Sequence, residues 1–398
     1  MNRHRRTTLF RDGLVFLVLT AVIFAGAVIR EVNLLLLFGS LLFCLFVLDW
    51  ISGRRCLRHL KVTRNLPAEI YAGDSFLVSI ALDNTMRSRS CWSILVEDRI
   101  QPLDETHREQ KGLKDIVGWQ PICYFPYLVS GQSMVKTYAG RIGVRGRYHT
   151  GPVYVTTRFP LGFFRNGYCA GQENEFLVFP KLGVLTSEWF RQHELMTQDR
   201  PSREQRLSRC SDELQGVRKW QSGDVRKWIH WRASAKHREI FVRQFQEFRQ
   251  QDSLIILDQY QTDTQENDAF DNFELAISFC AALTKYFSQS AFGDFHFICS
   301  ESETVYGGRT GRALSLGIME QLATLTTAAE DHLANVLKRL PEQCGFDTNV
   351  VLVTTSPIDL STSPRVAELR ADPRINQFLS RIQVVDTSNP KFDRWYQV

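Results

Sequence analysis

Apolar residues run almost unbroken from Leu14 to Ile29 and again from Leu34 to Leu48, with only Arg30, Glu31, Val32 and Asn33 between them. Each run approaches the roughly 17–25 residues a helix needs to cross a bilayer. Val32, Trp50 and Ile51 lengthen the spans, and Arg11 and Arg30 can snorkel. A signal peptide is the rival, with Arg3, Arg5 and Arg6 as its basic start and Ala25-Gly26-Ala27 as a cleavage-like site. A second, equally apolar run directly after that site favours a transmembrane helical hairpin over residues 1–52. From 53 to 182 the pattern changes to short alternating runs: Phe76–Leu82, Ser93–Val96, Gly151–Thr156 and Glu175–Pro180. Turn residues between them, and no helical period, predict an antiparallel β-sandwich. The polar stretch Asp104–Gln120 reads as a long loop.

Beyond residue 250 strand and helix patterns alternate. Ser253–Asp258 is a continuous apolar run, as expected of a strand buried on both faces. Helical periodicity follows from Phe273 to Phe287, then a strand at Phe295–Cys299. Helices follow at about 313–325 and 332–340, and strands at Asn349–Thr354 and Arg381–Asp386. The alternation predicts a doubly wound, mostly parallel α/β sheet over 251–398. Ligands of such sheets sit at the carboxyl ends of the strands, which draws attention to Asp258. The fold class expected for the whole chain is therefore α+β multidomain, with residues 183–250 linking the sandwich to the α/β domain.

Composition excludes a disordered or collagen-like chain, since 12% of the 398 residues are aromatic and only 24 are Gly. The nine cysteines are odd in number and form no C-x-x-C pair. That argues against a disulfide framework or a structural zinc site and suits a reducing compartment. Arg3, Arg5, Arg6 and Arg11 precede the first apolar run, and Arg54, Arg55, Arg58 and Lys61 follow the second. The positive-inside rule then places both termini in the cytoplasm, with the chain crossing the membrane twice.

A net charge of +5 conceals a sharp split. Residues 199–249 hold 13 Lys+Arg against 7 Asp+Glu, a net +6, whereas residues 250–398 hold 11 against 20, a net −9. Within the basic segment, Ser222-Gly223-Asp224 reads as a turn and an N-cap, with Val225, Trp228, Ile229 and Ala235 on a helical stripe. Trp220, Trp228 and Trp231 are expected to pack in a core. Basic residues among aromatics also suit single-stranded nucleic acid, but interspersed acids and helical spacing speak against it. The expectation is an intramolecular clamp, in which Arg218, Arg226 and Arg232 grip the acidic rim after the first α/β strand.

The run Gly216-Val217-Arg218…Ser222-Gly223-Asp224…Arg226…Ile229-His230-Trp231…Ala233-Ser234-Ala235 resembles the signature of the bacterial family called domain of unknown function 58. A second local match is Arg145-Gly146-Arg147-Tyr148…Gly151-Pro152 with Phe159-Pro160-Leu161-Gly162-Phe163-Phe164. The order of elements also resembles that family. The resemblance implies that the C-terminal domain is similar to von Willebrand factor A, and that a MoxR-type AAA ATPase is the partner. It implies Gly216, Arg218, Gly223, Asp224, Arg226, His230, Trp231 and Ser234 as the signature positions.

A complete metal-ion-dependent adhesion site in such a domain reads Asp-x-Ser-x-Ser. Here the stretch is Asp258-Gln259-Tyr260-Gln261-Thr262. Asp258 and Thr262 are the candidate Mg²⁺ ligands, with Thr354, Thr355 and Asp359 as further oxygens. Tyr260 stands where a small hydroxyl is needed, so a weak or absent Mg²⁺ site is expected. No other cofactor is implied. Gly307–Arg312 lacks the Gly-Lys-Ser/Thr end of a phosphate loop, and neither G-x-S-x-G nor H-E-x-x-H occurs. The expected function is a non-enzymatic, membrane-anchored interaction or scaffold protein. Its alternatives are a hydrolase assembled from distant residues and a nucleic-acid module built on the basic segment.

Overall fold

In the computed structural model the described residues are all except 1–4, 87–88, 104–120, 171–172, 199–213, 222–223, 225, 246–251, 262–265, 290–292, 302–304 and 344–347. The loop expected at 104–120 therefore lies outside them. The fold is mixed α/β with several sheets and two N-terminal apolar helices. It divides into two compact units, 1–181 with 320–325 and 182–319 with 326–398.

The first unit opens on strand β1 (Arg5–Leu9), where sequence pattern showed only a basic start. Helices α1 (Arg11–Arg30) and α2 (Asn33–Arg58) follow, each long and apolar enough to cross a membrane. Glu31 closes α1 in the left-handed conformation (φ 52°), its N–H donating to the Ala27 carbonyl. Antiparallel strands then run β2 (Leu60–Asn65), β3 (Ser75–Asn84), β4 (Cys91–Glu97), β5 (Ile100–Pro102), β6 (Ile122–Leu128), β7 (Ser133–Arg141), β8 (Gly146–Thr150), β9 (Val153–Thr157), β10 (Phe164–Ala170) and β11 (Asn174–Val178). They form sheets ordered β1-β10-β9-β4-β6, β2-β3-β7 and β11-β8-β5. Alternation along β3 puts Phe76, Val78, Ile80 and Leu82 inward, as the period of two requires. One core gathers Leu60, Leu82, Ile94, Val96, Phe125 and Val155; a smaller one gathers Ile70, Val78, Ile142 and Tyr148.

A buried polar cluster joins strands of this unit. Arg64 Nη1 lies 2.5 Å from Asp98 Oδ1 and also donates to the Gly151 carbonyl, and Nη2 bonds Thr150. The Tyr138 hydroxyl donates to Asp98 Oδ2 at 2.6 Å. Burial, with the Asp98 bond and charge, pushes the Tyr138 hydroxyl well above its ordinary value.

In the second unit a parallel sheet is built from β15 (Ser253–Leu257), β16 (Asp294–Cys299), β18 (Asn349–Thr354) and β19 (Gln383–Asp386). Strand β17 (Val305–Arg309) adds an antiparallel edge, and the order is β17-β16-β15-β18-β19. Every residue of β15 and β18 is buried, which their unbroken apolar runs require. Helices α5 (Glu266–Gln289), α6 (Arg312–Thr324), α7 (Leu333–Gln343) and α8 (Pro373–Leu379) alternate with the strands. Ahead of this sheet stand β12 (Val184–Leu185), α3 (Ser187–Gln198), the hairpin β13 (Leu214–Lys219) and β14 (Phe241–Phe245), and between those two strands α4 (Trp231–His237). A short strand β20 (Tyr396–Gln397) pairs with β12.

Candidate docking surface and switch-point cluster

The signature residues are carried by the β13–β14 hairpin and the segment it encloses. Gly216 and Arg218 lie on β13, opposite Gln244 and Val242 of β14. Arg218 turns its guanidinium fork onto Asp224, with Nη1 donating to Oδ2 at 2.8 Å and Nη2 to Oδ1 at 2.5 Å. Asp224 also accepts from the Gln221 N–H at 2.8 Å. The Arg218 fork, with the Gln221 N–H, holds the Asp224 carboxyl below its ordinary range. Asp224 thus closes a turn rather than capping a helix, because the chain goes on into a 3-10 turn at Arg226–Trp228 and then a β-bridge from Ile229 to Val242. Gly223 lies outside the described residues.

His230 is the N-cap of α4, its Nδ1 accepting from the Ala233 N–H at 3.1 Å. Ser234 donates to the His230 carbonyl and accepts from the Phe241 N–H at 2.9 Å, which ties α4 to β14. Trp231, expected in a core, is 72% exposed. Arg226, Lys227, Arg232, Lys236, Arg238 and Arg243 are exposed too, and form no ion pair among the described residues. The clamp was expected of Arg218, Arg226 and Arg232. Among the described residues these three arginines make no ion pair to the acidic rim, part of which lies outside them: Arg218 is engaged by Asp224, and Arg226 and Arg232 are exposed.

The second cluster lies at the carboxyl end of β15, the central strand, where its neighbours β16 and β18 diverge in chain order. Asp258 there is fully buried. Arg365, from the 3-10 turn Pro364–Val366, brings Nη1 to 2.8 Å from Asp258 Oδ2, an ion pair without hydrogen-bond alignment. The same guanidinium grips Asp331 with two bonds, Nε to Oδ2 at 2.5 Å and Nη2 to Oδ1 at 2.6 Å. Its carbon stands 4.8 Å from the centre of the Tyr260 ring. Burial pushes the Asp258 carboxyl above its ordinary range, against the pull of Arg365. Burial also acts on Asp331, but the Arg365 fork, with the Leu333 N–H, outweighs it and holds that carboxyl low.

A divalent cation at Asp258 does not fit these residues. The chain's own guanidinium already stands against the carboxylate oxygen a metal would take, and the Tyr260 ring lies over that guanidinium. Thr262 lies outside the described residues. Thr354 Oγ1 donates to the Ser356 carbonyl, and Asp359 is satisfied by Ser361 and Thr362, so neither is turned to Asp258. Sequence pattern did not single out Arg365 or Asp331. Elsewhere, a crevice between α1 and α2, lined by Leu17, Thr20, Phe24, Phe43 and Phe46, holds no titratable side chain.

Residues 216–354 match the family model described as protein of unknown function DUF58, from β13 to the end of β18. The chain carries the DUF58 region. No curated protein matches it. Solved structures with local likeness include the CARDB domain of PF1109 from Pyrococcus furiosus, with TM-score 0.17, 10% identity, and 28% of this chain and 93% of that one covered. The DNA glycosylase AlkC of Pseudomonas fluorescens gives TM-score 0.20, 16% identity, and coverage of 37% and 39%. A mutant β-glucosidase from Listeria innocua gives 0.19, 12%, and 31% and 16%. At such scores none informs the fold or role of the DUF58 region.

Proposed function

We propose that this is a membrane-anchored interaction protein that docks an acidic surface of a protein partner on the hairpin side of its DUF58 region. One observation carries this: Trp231 is 72% exposed in a segment that bears six exposed cations forming no ion pair among the described residues. Trp and Arg are among the residues most enriched at binding hot spots, and here they occur together on exposed positions of one short segment. The internal bonds of His230, Ser234, Arg218 and Asp224 hold that surface in shape before any partner arrives, which lowers the entropy lost on binding.

A MoxR-type AAA ATPase is the partner proposed. The two apolar helices anchor the chain as an N-in, C-in hairpin in the inner membrane, with both units in the cytoplasm. The C-terminal sheet is read as similar to von Willebrand factor A, supported by its strand order and by Asp258 at the end of its central strand. In this chain it works without a metal, as a scaffold rather than an enzyme. A photo-crosslinking residue at position 231, in membranes from cells making the full chain, tests the docking face. A dominant adduct with the ATPase is expected. Adducts only with lipid or nucleic acid, or none, would overturn it.

A further inference from the structure

The loop Arg158–Phe163, between β9 and β10, is fastened to the base of the helical hairpin. Phe163 stacks on Phe16 of α1, ring centres 4.4 Å apart, and lies 6.0 Å from Phe46 of α2. Asp49, fully buried on α2, accepts the N–H groups of Leu161, Phe163 and Phe164 at 2.7, 3.0 and 3.2 Å. Gly53 makes the approach possible, since a Cβ there would collide with the Asn166 side-chain amide and stand 3.2 Å from the Phe159 carbonyl. Loop and helices therefore form one body, and the outer side of the loop is held at the level where the apolar helices begin.

That outer side is not covered. Leu161 is 48% exposed, Trp92 is 45% exposed and Trp50 on α2 is 39% exposed. Phe159 faces Trp92, which packs on Tyr127 at 4.2 Å, so the apolar ledge continues from helix to sandwich. Two exposed guanidiniums lie on rings along it, Arg54 over Trp50 at 4.6 Å and Arg158 over Phe10 at 4.1 Å. Neither forms an ion pair among the described residues. Trp and Tyr beside Arg are the side chains that settle at a membrane–water boundary, and a guanidinium fork matches a phosphate.

We infer that this ledge lies in the headgroup layer of the bilayer and binds anionic phospholipid, with Arg54 and Arg158 on the phosphates. This rests on the hairpin spanning the membrane. The sandwich is then no tethered spacer but is seated on the lipid surface, and its seat is continuous with the hairpin.

The test uses the full chain in nanodiscs, with an environment-sensitive fluorescent amino acid at position 161 or, separately, at position 41, an exposed site midway along α2. Both reporters should be blue-shifted and quenched by spin-labelled lipid, position 161 best by labels near the headgroup. Phosphatidylglycerol should raise the melting temperature over phosphatidylcholine, and Arg54→Gln with Arg158→Gln should remove that difference. If position 41 is quenched and position 161 is in water, the ledge is not seated and the hairpin stands. If position 41 is itself in water, the hairpin and the ledge fall together. Shielding of position 161 only after adding cytosolic protein would mean that a protein covers the ledge, and would also overturn the inference.

Discussion

Arg365 sets its guanidinium 2.8 Å from the buried carboxylate of Asp258, so the chain supplies its own cation at the carboxyl end of the central strand. The same group crosses to Asp331 with two bonds, and so ties the turn after β18 to the start of α7. Removing one partner of a buried pair typically costs about 3–5 kcal/mol, because the other charge is left uncompensated. Arg365 is 17% exposed, which lowers the expectation for Arg365→Ala to roughly 2–3 kcal/mol. Arg365→Lys should rescue little, since an ammonium cannot fork onto Asp331 while reaching Asp258. Urea melts of the detergent-solubilised chain measure both.

The same geometry sets the response to Mg²⁺. Titration calorimetry on the full chain should give no tight binding, because a divalent ion would have to displace a guanidinium held by two carboxylates. A micromolar constant abolished by Asp258→Ala would show that the ion wins that place.

Asp258 and Asp331 should respond to pH with opposite signs. Asp331 is held low, so its contribution is complete above the ordinary carboxylate range and is lost as pH falls through its folded value. Asp258 is held high, so ionising it opposes folding. Its favourable term exists below the ordinary range and is lost as pH rises through the raised value. Melting temperatures of the wild type minus Asp258→Asn should therefore rise as pH is lowered from neutral toward that range. Asp331→Asn should show the reverse slope.

Asp49 should matter more than its place in an apolar helix suggests. Asp49→Ala leaves three part-buried N–H groups without their acceptor, at up to about 1 kcal/mol each because water can reach them in part. A loss of up to about 3 kcal/mol is expected in nanodisc thermal melts, whereas Asp49→Asn, which keeps one acceptor oxygen, should lose less.

What was legible in the sequence is what periodicity encodes. The unbroken runs became α1 and α2, the alternation around Phe76–Leu82 became β3, and the solid apolar stretch at Ser253–Leu257 became the central strand. What was hidden depended on residues meeting from far apart. Asp331 looks like an ordinary cap, and does accept from the Leu333 N–H, but its ion pair comes from Arg365 after β18. Asp49 reads as the end of a span, because its backbone partners lie in another stretch of chain altogether. Trp231 failed for a local reason: tryptophan is usually buried, but α4 is seven residues long and rests on a two-stranded hairpin, which leaves its first turn open. Asp224 failed similarly, since an Arg six residues back competes for the carboxylate that a helix start would use.

The central claim is that the exposed Trp231 and its cations form a docking face. Its most direct measurement is the affinity of the purified MoxR-type ATPase for the full chain in nanodiscs, read beside the melting temperature. Trp231→Ala should leave stability within about 0.5 kcal/mol, as for other exposed sites. It should weaken binding about tenfold or more, the scale of a hot-spot residue. Arg226→Glu with Arg232→Glu should weaken it further and flatten its dependence on salt. Unchanged affinity in both variants, with the ATPase still bound, would contradict the account.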